Sequence, residues 1–288
     1  MHRAQILLML AASAASASDF SGAAALAFTA KAVAFGPRPS GSEANRKLQA
    51  YIEAQLRPLG CRIVEDSFRA STPLGPVAMK NIVARFPGSA PGVIVISGHY
   101  DTKILPGQKF VGANDGGSST GFLLEFARIA ARMSHQREID LVFFDGEEAV
   151  GEWTDSDSVY GSRHLAARWA ADGSLARIRA LINVDMTGDK DLDILAEQNS
   201  SPSLRQLIWR AAADIGYGRY FLDTGGPVGD DHVPFLQRGV NAVDLIDFDY
   251  GPNEAYWHTG KDTMDKISAH SLQVVGDVLV ETIRRLDR

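Results

Sequence analysis

The sequence predicts one α/β domain, built on a central, mostly parallel mixed sheet with helices on both faces. Segments with the apolar period of a helix alternate along the chain with short runs of β-branched residues that are typical of strands. Residues 93–96 are apolar at every position, which is typical of a strand buried on both faces. Strands that alternate with helices in this way favour a doubly covered sheet.

The composition is that of an ordinary globular enzyme. Of the 288 residues, 45% are hydrophobic and 22% are charged, and this length fits one large α/β domain or two small ones. No linker or internal repeat divides the chain, so one domain is the simpler interpretation. The formal net charge is −6 and no basic block is longer than Arg284-Arg285, which argues against nucleic acid as a partner. Cys61 is the only cysteine, so an internal disulfide is impossible.

Residues 1–17 are interpreted as a signal peptide. Arg3 gives a positive start, residues 6–12 are apolar, and small residues at 15–17 form a cleavage site. The apolar run is too short to span a bilayer. We therefore expect export to the periplasm or beyond, no integral membrane segment after processing, and a catalytic domain over residues 18–288.

The first two helices are separated by a proline-containing break. A helix is expected over residues 20–35, and the Gly-Pro-Arg-Pro stretch that follows ends it. Ser40 and Glu43 have the spacing of a capping box at the start of the second helix. An apolar stripe then continues on one helical face as far as Leu56.

The remaining elements follow from the same two periods. We expect strands over residues 61–70, 80–86, 93–96, 139–144, 180–186 and 242–246, with a turn rich in proline and glycine between the first two. We expect helices over residues 117–133, 159–171, 204–215 and 267–286.

Ionisable residues follow four of the interior strands. These strands lead into His99 and Asp101, into residues 145–148, into Asp185, and into Asp247 with His258 a loop away. In open α/β sheets, ligands bind beyond the carboxyl ends of the strands. Carboxylates and imidazoles crowded there would repel one another and titrate away from their usual pKa unless a cation lies among them. Two acidic groups and one imidazole at neighbouring strand ends suit zinc, whose catalytic sites keep one open position.

The adjacent Glu147 and Glu148 fit such a site because neighbouring residues point to different sides of the chain. One can bind a metal while the other stays free to move protons. Each candidate also has a plainer explanation. The two glutamates could form a solvated loop, Asp115 could cap the helix that follows it, and Asp185 could be a turn residue.

A serine hydrolase is a weaker alternative. The stretch Gly117-Ser118-Ser119-Thr120-Gly121 matches the G-x-S-x-G pattern of these enzymes. That pattern requires a strand immediately before the serine, and residues 107–116 make a poor strand. We therefore rank a Ser119 nucleophile below the metal site.

Several motifs taken together resemble those of a known family. The motifs GHYDTK, GANDGGSSTGFLLEFAR, LVFFDGEEAVGEWTDSDSVYGSRHLAARW, GDDHVPFLQRGV and YWHT occur in the family's order. The set resembles the zinc-dependent glutaminyl cyclases, which share a zinc aminopeptidase-like fold with the di-zinc aminopeptidases. The resemblance covers most of the chain from about residue 35 onward.

The resemblance implies a role for each matching position. It implies zinc ligands at Asp115, Glu148 and His258, an acid/base at Glu147, acidic pocket residues at Asp185 and Asp230, and an aromatic lining at Trp153 and Trp257. It implies one zinc ion, while a second, held by His99 and Asp185, would be the aminopeptidase arrangement.

Some features divide the cyclases from the aminopeptidases. The long acidic segment between Glu148 and Tyr160 resembles the cyclases, and so does Trp257 directly before the ligand histidine. The stretch Asn183-Val184-Asp185-Met186 is closer to the aminopeptidase pattern.

Two positions depart from the animal cyclases. Asp244 stands where those enzymes usually carry a histidine, in the network behind the pocket. The loop over residues 247–256 also differs in length, so Phe248 and Tyr250 are both candidates to face substrate.

The activity implied is cyclisation of an N-terminal glutamine to pyroglutamate with loss of ammonia. The partners would be the N-termini of peptides or proteins, and we expect the enzyme to be a monomer. The alternative on the same scaffold is a di-zinc aminopeptidase that hydrolyses N-terminal residues. A non-catalytic exported binding protein would have lost a ligand or Glu147, and neither is missing.

Overall fold

The fold is described from a computed structural model, in which residues 20–288 are described. The predicted signal peptide, residues 1–17, lies outside the described residues. In the described part of the chain, no helix combines the length and the apolar character needed to cross a membrane.

One mixed sheet forms the centre of the protein. Its strands, within the described residues, are β1 (Arg62–Thr72), β2 (Gly75–Phe86), β3 (Ala90–His99), β4 (Arg137–Phe144), β5 (Ile178–Asp185) and β6 (Ala242–Ile246). They lie in the order β1-β2-β4-β3-β5-β6. Strand β2 is antiparallel to both of its neighbours, whereas β4, β3, β5 and β6 are parallel to one another. The predicted mostly parallel mixed sheet is therefore confirmed.

Helices cover both faces of this sheet, as predicted. They are α1 (Gly22–Val33), α2 (Glu43–Leu56), α3 (Gly117–Ala130), α4 (Tyr160–Ala171), α5 (Pro202–Asp214), the short α6 (Val233–Leu236) and α7 (Ala269–Leu286). Helices α1, α2, α3, α5 and α7 pack in the larger core cluster, and α4 and α6 in the smaller one.

Strand β3 shows why the central runs are apolar at every position. Ile94 and Ile96 pack in the larger cluster, while Val93 and Val95 pack in the smaller one on the opposite face. Successive side chains of a strand point to opposite faces, so a strand buried on both sides needs apolar residues throughout.

The β1–β2 hairpin is longer than the sequence predicts. Residues 76–79 were expected to form a turn, but they continue β2, and Pro76 pairs with Ser71. The connection is reduced to Pro73 and Leu74, between the paired residues Thr72 and Gly75. Pro76 does not end the pairing because it lies near the start of β2, in a part of the strand that pairs with β1 alone.

Two predicted helix starts are displaced in the structure. Helix α2 is capped by Ser42, whose hydroxyl accepts the amide of Asn45 at 3.0 Å. The predicted cap at Ser40 is wrong, because its hydroxyl instead donates to Asp145 Oδ1 at 2.7 Å. Helix α7 begins at Ala269 rather than at residue 267, because Ile267 forms a β-bridge with Asp189.

The parallel arrangement brings four strand ends to the same edge of the sheet. Strands β3, β4, β5 and β6 end at His99, Phe144, Asp185 and Ile246. The loops that leave these four ends build the site described next, as expected for ligand sites in open α/β sheets.

Candidate active site

Asp115, Glu148 and His258 meet beyond the carboxyl ends of the strands. His258 Nε2 lies 3.3 Å from Asp115 Oδ2 and 3.1 Å from Glu148 Oε1. One ligand atom from each of the three residues lies within 4.8 Å of the others. Asp115 Oδ2 is buried and makes no hydrogen bond, which leaves a lone-pair site that a cation would fill. Two carboxylate oxygens and one imidazole nitrogen are a donor set that fits zinc.

Asp115 faces this group and does not cap helix α3. The cap position is Gly116, and the helix start has no side-chain capping bond. Gly116 has a φ of 74°, and a Cβ placed there would lie 2.5 Å from the carbonyl oxygen of Asp101. Only glycine fits this turn without strain. The turn directs the Asp115 carboxylate towards the imidazoles of His99 and His258.

Glu148 is positioned through the backbone of the loop after β4. Asp101 accepts the amide of Glu147 at 3.2 Å through Oδ1 and the amide of Glu148 at 3.4 Å through Oδ2. Asp101 Oδ1 also lies 3.4 Å from His99 Nδ1. One buried carboxylate therefore orients the two adjacent glutamates and the nearby imidazole. Lys103 Nζ lies 3.4 Å from Glu148 Oε2, the oxygen that faces away from His258.

His258 adopts a backbone conformation that is uncommon for a residue with a side chain. Its φ is 48°, and the ring of Trp257 stacks on its imidazole with centroids 4.1 Å apart. Phe110 contacts the same imidazole edge-on at 5.9 Å. Left-handed non-glycine residues cluster at functional sites, where the surrounding packing holds them in place.

The pKa values of the site show the crowding that the sequence predicts. Burial raises the pKa of Glu147 well above its usual range, and Glu148 adds to this shift while His99 opposes it. Burial also raises the pKa of Glu148, with a further contribution from Asp115. Burial lowers the pKa of His258, but the adjacent carboxylates of Asp115 and Glu148 outweigh this and raise the pKa to about 9. Carboxylates crowded in this way are stabilised by a divalent cation placed among them.

A second group of metal-binding type lies next to the first. His99 Nε2 is 3.2 Å from Asp115 Oδ1 and 3.2 Å from Asp185 Oδ1, and all three side chains are buried. Their ligand atoms also lie within 4.8 Å of one another. Asp115 therefore stands between the two groups and offers one oxygen to each.

A cavity of about 590 Å³ opens onto these residues. Glu147, Asp185 and Asp230, all buried, contribute carboxylates to it. Its apolar walls are formed by Trp153, Leu195, Val228, Ile246, Phe248 and Trp257. A cavity of this size and lining fits one amino-acid residue of a substrate together with part of the next.

The open choice between Phe248 and Tyr250 is resolved by the structure. Phe248 lines the cavity and packs against Trp257, with ring centroids 4.9 Å apart. Tyr250 is fully buried, and its hydroxyl donates to Asp262 Oδ1 at 2.7 Å. Phe248 is therefore the aromatic residue of this loop that can contact a ligand.

Trp153 is held at the cavity by a loop with its own internal support. Asp157 is buried and accepts the amides of Val150 at 2.9 Å and Gly151 at 2.8 Å. Its Oδ1 also accepts the hydroxyl of Tyr160 at 2.7 Å. The acidic segment that the sequence singled out is thus folded around one of its own carboxylates.

Asp244 lies in a buried network behind the cavity. Asn183 donates to its Oδ1 at 3.1 Å, and its Oδ2 lies 3.9 Å from His232 Nδ1. Burial raises the pKa of Asp244 well above its usual range, and Asp230 adds to the shift. His232 in turn lies 3.2 Å from Glu197 Oε2. A neighbouring loop therefore supplies an imidazole beside Asp244.

Ser119 has no nucleophile geometry. It lies in the first turn of α3, no strand precedes it, and its hydroxyl is 3.4 Å from Asp185 Oδ1. It helps to hold Asp185.

Three positioning residues were missed from the sequence. Arg38 is fully buried and donates to the carbonyl oxygens of Tyr100 at 2.8 Å and Gly112 at 2.9 Å. Asp262 accepts backbone amides of the segment that carries Asp115. Asp101 was noted at a strand end but given no role. Buried charges have no periodic signal in a sequence. Only Asp262 offered a hint, because it follows the candidate ligand His258 by four positions.

Comparisons with known proteins identify the family of the chain. Residues 81–283 match the peptidase family M28. The Drosophila melanogaster protein named glutaminyl-peptide cyclotransferase is 33% identical over 257 residues, which cover 80% of this chain and 72% of that protein. The crystal structure of the Acidobacteriales bacterium glutaminyl cyclase has a TM-score of 0.91 and 43% identity, and covers 97% of this chain and 99% of its own.

A structure described as a Zn-dependent exopeptidase, from Parabacteroides distasonis, has a TM-score of 0.83 and 28% identity, over 93% of this chain and 99% of its own. The resemblance to the glutaminyl cyclases is confirmed, and so is the wider aminopeptidase-like fold. Because the family model matches residues 81–283, which are more than half of the sequence, the chain belongs to peptidase family M28.

Proposed function

We propose that the protein is a zinc-dependent glutaminyl-peptide cyclotransferase, which converts an N-terminal glutamine of peptides to pyroglutamate and releases ammonia. One observation carries the proposal. Glu147, a buried carboxylate outside the metal-binding group, lies beside that three-residue group in a cavity lined by further carboxylates and by aromatic side chains. Glutaminyl cyclases among the relatives support the same activity.

Asp115, Glu148 and His258 would hold the zinc ion. When bound, zinc supplies a Lewis acid that polarises the side-chain carbonyl of the substrate glutamine. All three residues line the cavity, so a substrate bound there would be able to reach the ion. Lys103 Nζ lies 3.4 Å from Glu148 Oε2, while Glu148 Oε1 lies 3.1 Å from His258 Nε2.

Glu147 would move the proton. The α-amine nitrogen of the substrate attacks its own side-chain carbonyl carbon, and the new carbon–nitrogen bond closes the five-membered ring. Glu147 takes a proton from this nitrogen and delivers it to the side-chain amide nitrogen, which leaves as ammonia when its bond to carbon breaks. Burial raises the pKa of Glu147 well above its usual range, which suits a group that first accepts and then donates a proton.

Asp185 and Asp230 would orient the attacking amine. Both carboxylates line the cavity. There they would accept hydrogen bonds from the amine of the substrate and hold it in an attacking geometry. Trp153, Trp257 and Phe248 would enclose the glutamine side chain and exclude competing water. The nucleophile comes from the substrate, so this reaction requires no serine or cysteine of the enzyme.

Ammonia release tests the proposal directly. The zinc-loaded protein should release ammonia from a Gln-initiated dipeptide, and mass spectrometry should show one product that retains both residues. Hydrolysis of the peptide bond without ammonia release would reject cyclisation.

The second metal-binding group favours one alternative, a di-zinc aminopeptidase. His99 and Asp185 would hold the second ion, and Glu147 would take a proton from an attacking water. Metal analysis separates the two functions, because about one zinc per chain fits the cyclase and about two fit the peptidase. A leucine anilide offered beside the Gln dipeptide gives the same answer from the products.

Export and a monomeric state complete the proposal. Export depends on residues 1–17, so a fusion of the full chain should be processed and recovered outside the cytoplasm. Sedimentation of the purified protein tests the monomer.

A further inference from the structure

A groove of about 450 Å³ lies outside the active site, between helix α2 and the β1–β2 hairpin. Its lining includes Arg46 and Gln49 of the helix and Glu65, Arg69, Ala78 and Lys80 of the hairpin. We call it the hairpin groove. It shares no lining residue with the active-site cavity, so the two are separate. A cavity of this volume fits a small molecule.

The hairpin turns one face of its two strands towards this groove. Ser67 pairs with Lys80 and Arg69 pairs with Ala78, and these four residues all line the groove. Side chains that stand directly opposite each other on antiparallel strands lie on the same face. The hairpin therefore contributes one cationic residue from each strand, together with the small apolar side chain of Ala78.

Two guanidinium groups of the groove have no carboxylate partner. Lys80 is neutralised, because its Nζ lies 2.5 Å from Glu53 Oε1 and 3.0 Å from Glu65 Oε2. Within residues 20–288, Arg69 forms no hydrogen bond or ion pair, and Arg46 donates to a single backbone carbonyl oxygen at 2.6 Å. The helix wall and the hairpin wall thus each offer free N–H donors to an anion.

The groove adjoins the residues that hold the loop of the two adjacent glutamates. The side chain of Gln49 donates to Asp145 Oδ2 at 3.3 Å, and the amide of Lys80 donates to the same oxygen at 2.9 Å. Asp145 comes shortly before Glu147 and Glu148 in the same loop. Helix α2 and the hairpin, the two walls of the groove, therefore both hold the start of the catalytic loop.

We propose that the hairpin groove binds aliphatic dicarboxylates, and that the bound anion stabilises the loop over residues 145–148. One carboxylate accepts hydrogen bonds from Arg46 and the other from Arg69, because the guanidinium fork suits a carboxylate. The carbon chain lies on Ala78 and on the apolar stems of the long side chains. An anion that bridges α2 and the hairpin joins the two elements that hold Asp145, so the loop opens less often.

Calorimetric titration of the zinc-loaded protein with adipate, at constant ionic strength, tests the binding. Adipate carries a carboxylate at each end of its carbon chain, and hexanoate is a chain of the same length with a single carboxylate. We expect one adipate per chain with a Kd of about 0.1–1 mM, and about 10-fold weaker binding of hexanoate. Arg46→Gln and Arg69→Gln should each weaken adipate binding about 10-fold. Arg62→Gln, which removes an exposed guanidinium of β1 outside the groove, should leave the affinity unchanged.

Hydrogen exchange measures the effect on the loop without any assay of turnover. Adipate at about 10 times its Kd should slow the exchange of the amides of residues 145–148 about 3- to 10-fold in the wild type, and should not slow it in Arg69→Gln. Equal affinities for adipate and hexanoate, or an adipate response that persists in both arginine variants, as chelation of zinc would, overturns the site. Binding that leaves the exchange of residues 145–148 unchanged overturns its link to the loop.

Discussion

Asp262 holds the backbone of Asp115 from a position 147 residues further along the chain. Its Oδ2 accepts the amide of Asp115 at 3.2 Å, and its Oδ1 accepts the amide of Asn114 at 2.8 Å. Both carboxylate oxygens are engaged, so an amide side chain could keep only one of the two hydrogen bonds. The position of a candidate zinc ligand thus depends on a residue that touches no metal.

Asp262→Asn should therefore weaken zinc binding. Loss of a hydrogen bond that orients a ligand typically lowers metal affinity about 10- to 100-fold, and we expect this range. Competition with a chromophoric zinc chelator measures it. Asp265→Asn, which removes an exposed carboxylate three positions away, is the matched control. An unchanged affinity in Asp262→Asn would show that the loop is held by other contacts.

Glu147→Gln should abolish turnover and leave zinc bound. Removal of a general acid/base lowers rates by about 100- to 10,000-fold, and Glu147 does not belong to the metal-binding group. Ammonia release and metal content are measured on the same sample. Glu43→Gln, which removes an exposed carboxylate paired with Lys47, should behave as the wild type. Turnover that survives in Glu147→Gln would remove Glu147 from the proton transfer.

Gly116→Ala should disturb the site through the backbone. A Cβ there would lie 2.5 Å from the carbonyl oxygen of Asp101 and 3.0 Å from Cε1 of His99. Gly173 has a similar φ of 82° with no atom within 4 Å of its Cβ position, so Gly173→Ala isolates the cost of the left-handed conformation. We expect Gly173→Ala to lose about 1 kcal/mol of unfolding free energy in urea, and Gly116→Ala to lose more and to bind zinc weakly. Equal losses would mean that the clash relaxes.

Glu197 should make stability depend on pH in the acidic range. Burial opposes its ionisation, but hydrogen bonds from His232, Ser200 and backbone amides outweigh this and lower its pKa to about 2. A carboxyl with a lowered folded-state pKa stabilises the fold above its unfolded pKa, and loses this contribution as the pH falls towards the folded value. The shift corresponds to about 2–3 kcal/mol.

The unfolding free energies of the wild type and Glu197→Gln test this from pH 7 to pH 3. The difference between the two proteins should be largest near neutrality and should shrink below a pH of about 4.5. A difference that stays constant over this range would show that Glu197 does not titrate in the fold.

The sheet and its edge could be predicted because they depend on patterns that are local in sequence. Apolar runs such as residues 93–96 identify interior strands, and polar residues directly after them identify the loops of the site. The predicted β1–β2 turn is too long because Pro76 is typical of a turn, whereas it lies near the start of β2, in a part that pairs with β1 alone.

The supports of the site could not be predicted in the same way. Arg38, Asp101 and Asp262 act through backbone atoms of distant segments, and a sequence does not show which amide or carbonyl faces which side chain. Ser40 is a further example. Its spacing from Glu43 fits a capping box, but its hydroxyl donates a hydrogen bond to Asp145 instead of capping the helix. Choices between two aromatic residues, such as Phe248 and Tyr250, likewise depend on loop geometry.

The three residues of the metal-binding group come from widely separated parts of the chain: before α3, after β4 and after β6. A cut anywhere between residues 115 and 258 leaves no single fragment with all three of them, and catalytic zinc sites use three protein ligands. Zinc retained after gel filtration should therefore count intact molecules, and specific activity is best normalised to bound metal instead of total protein.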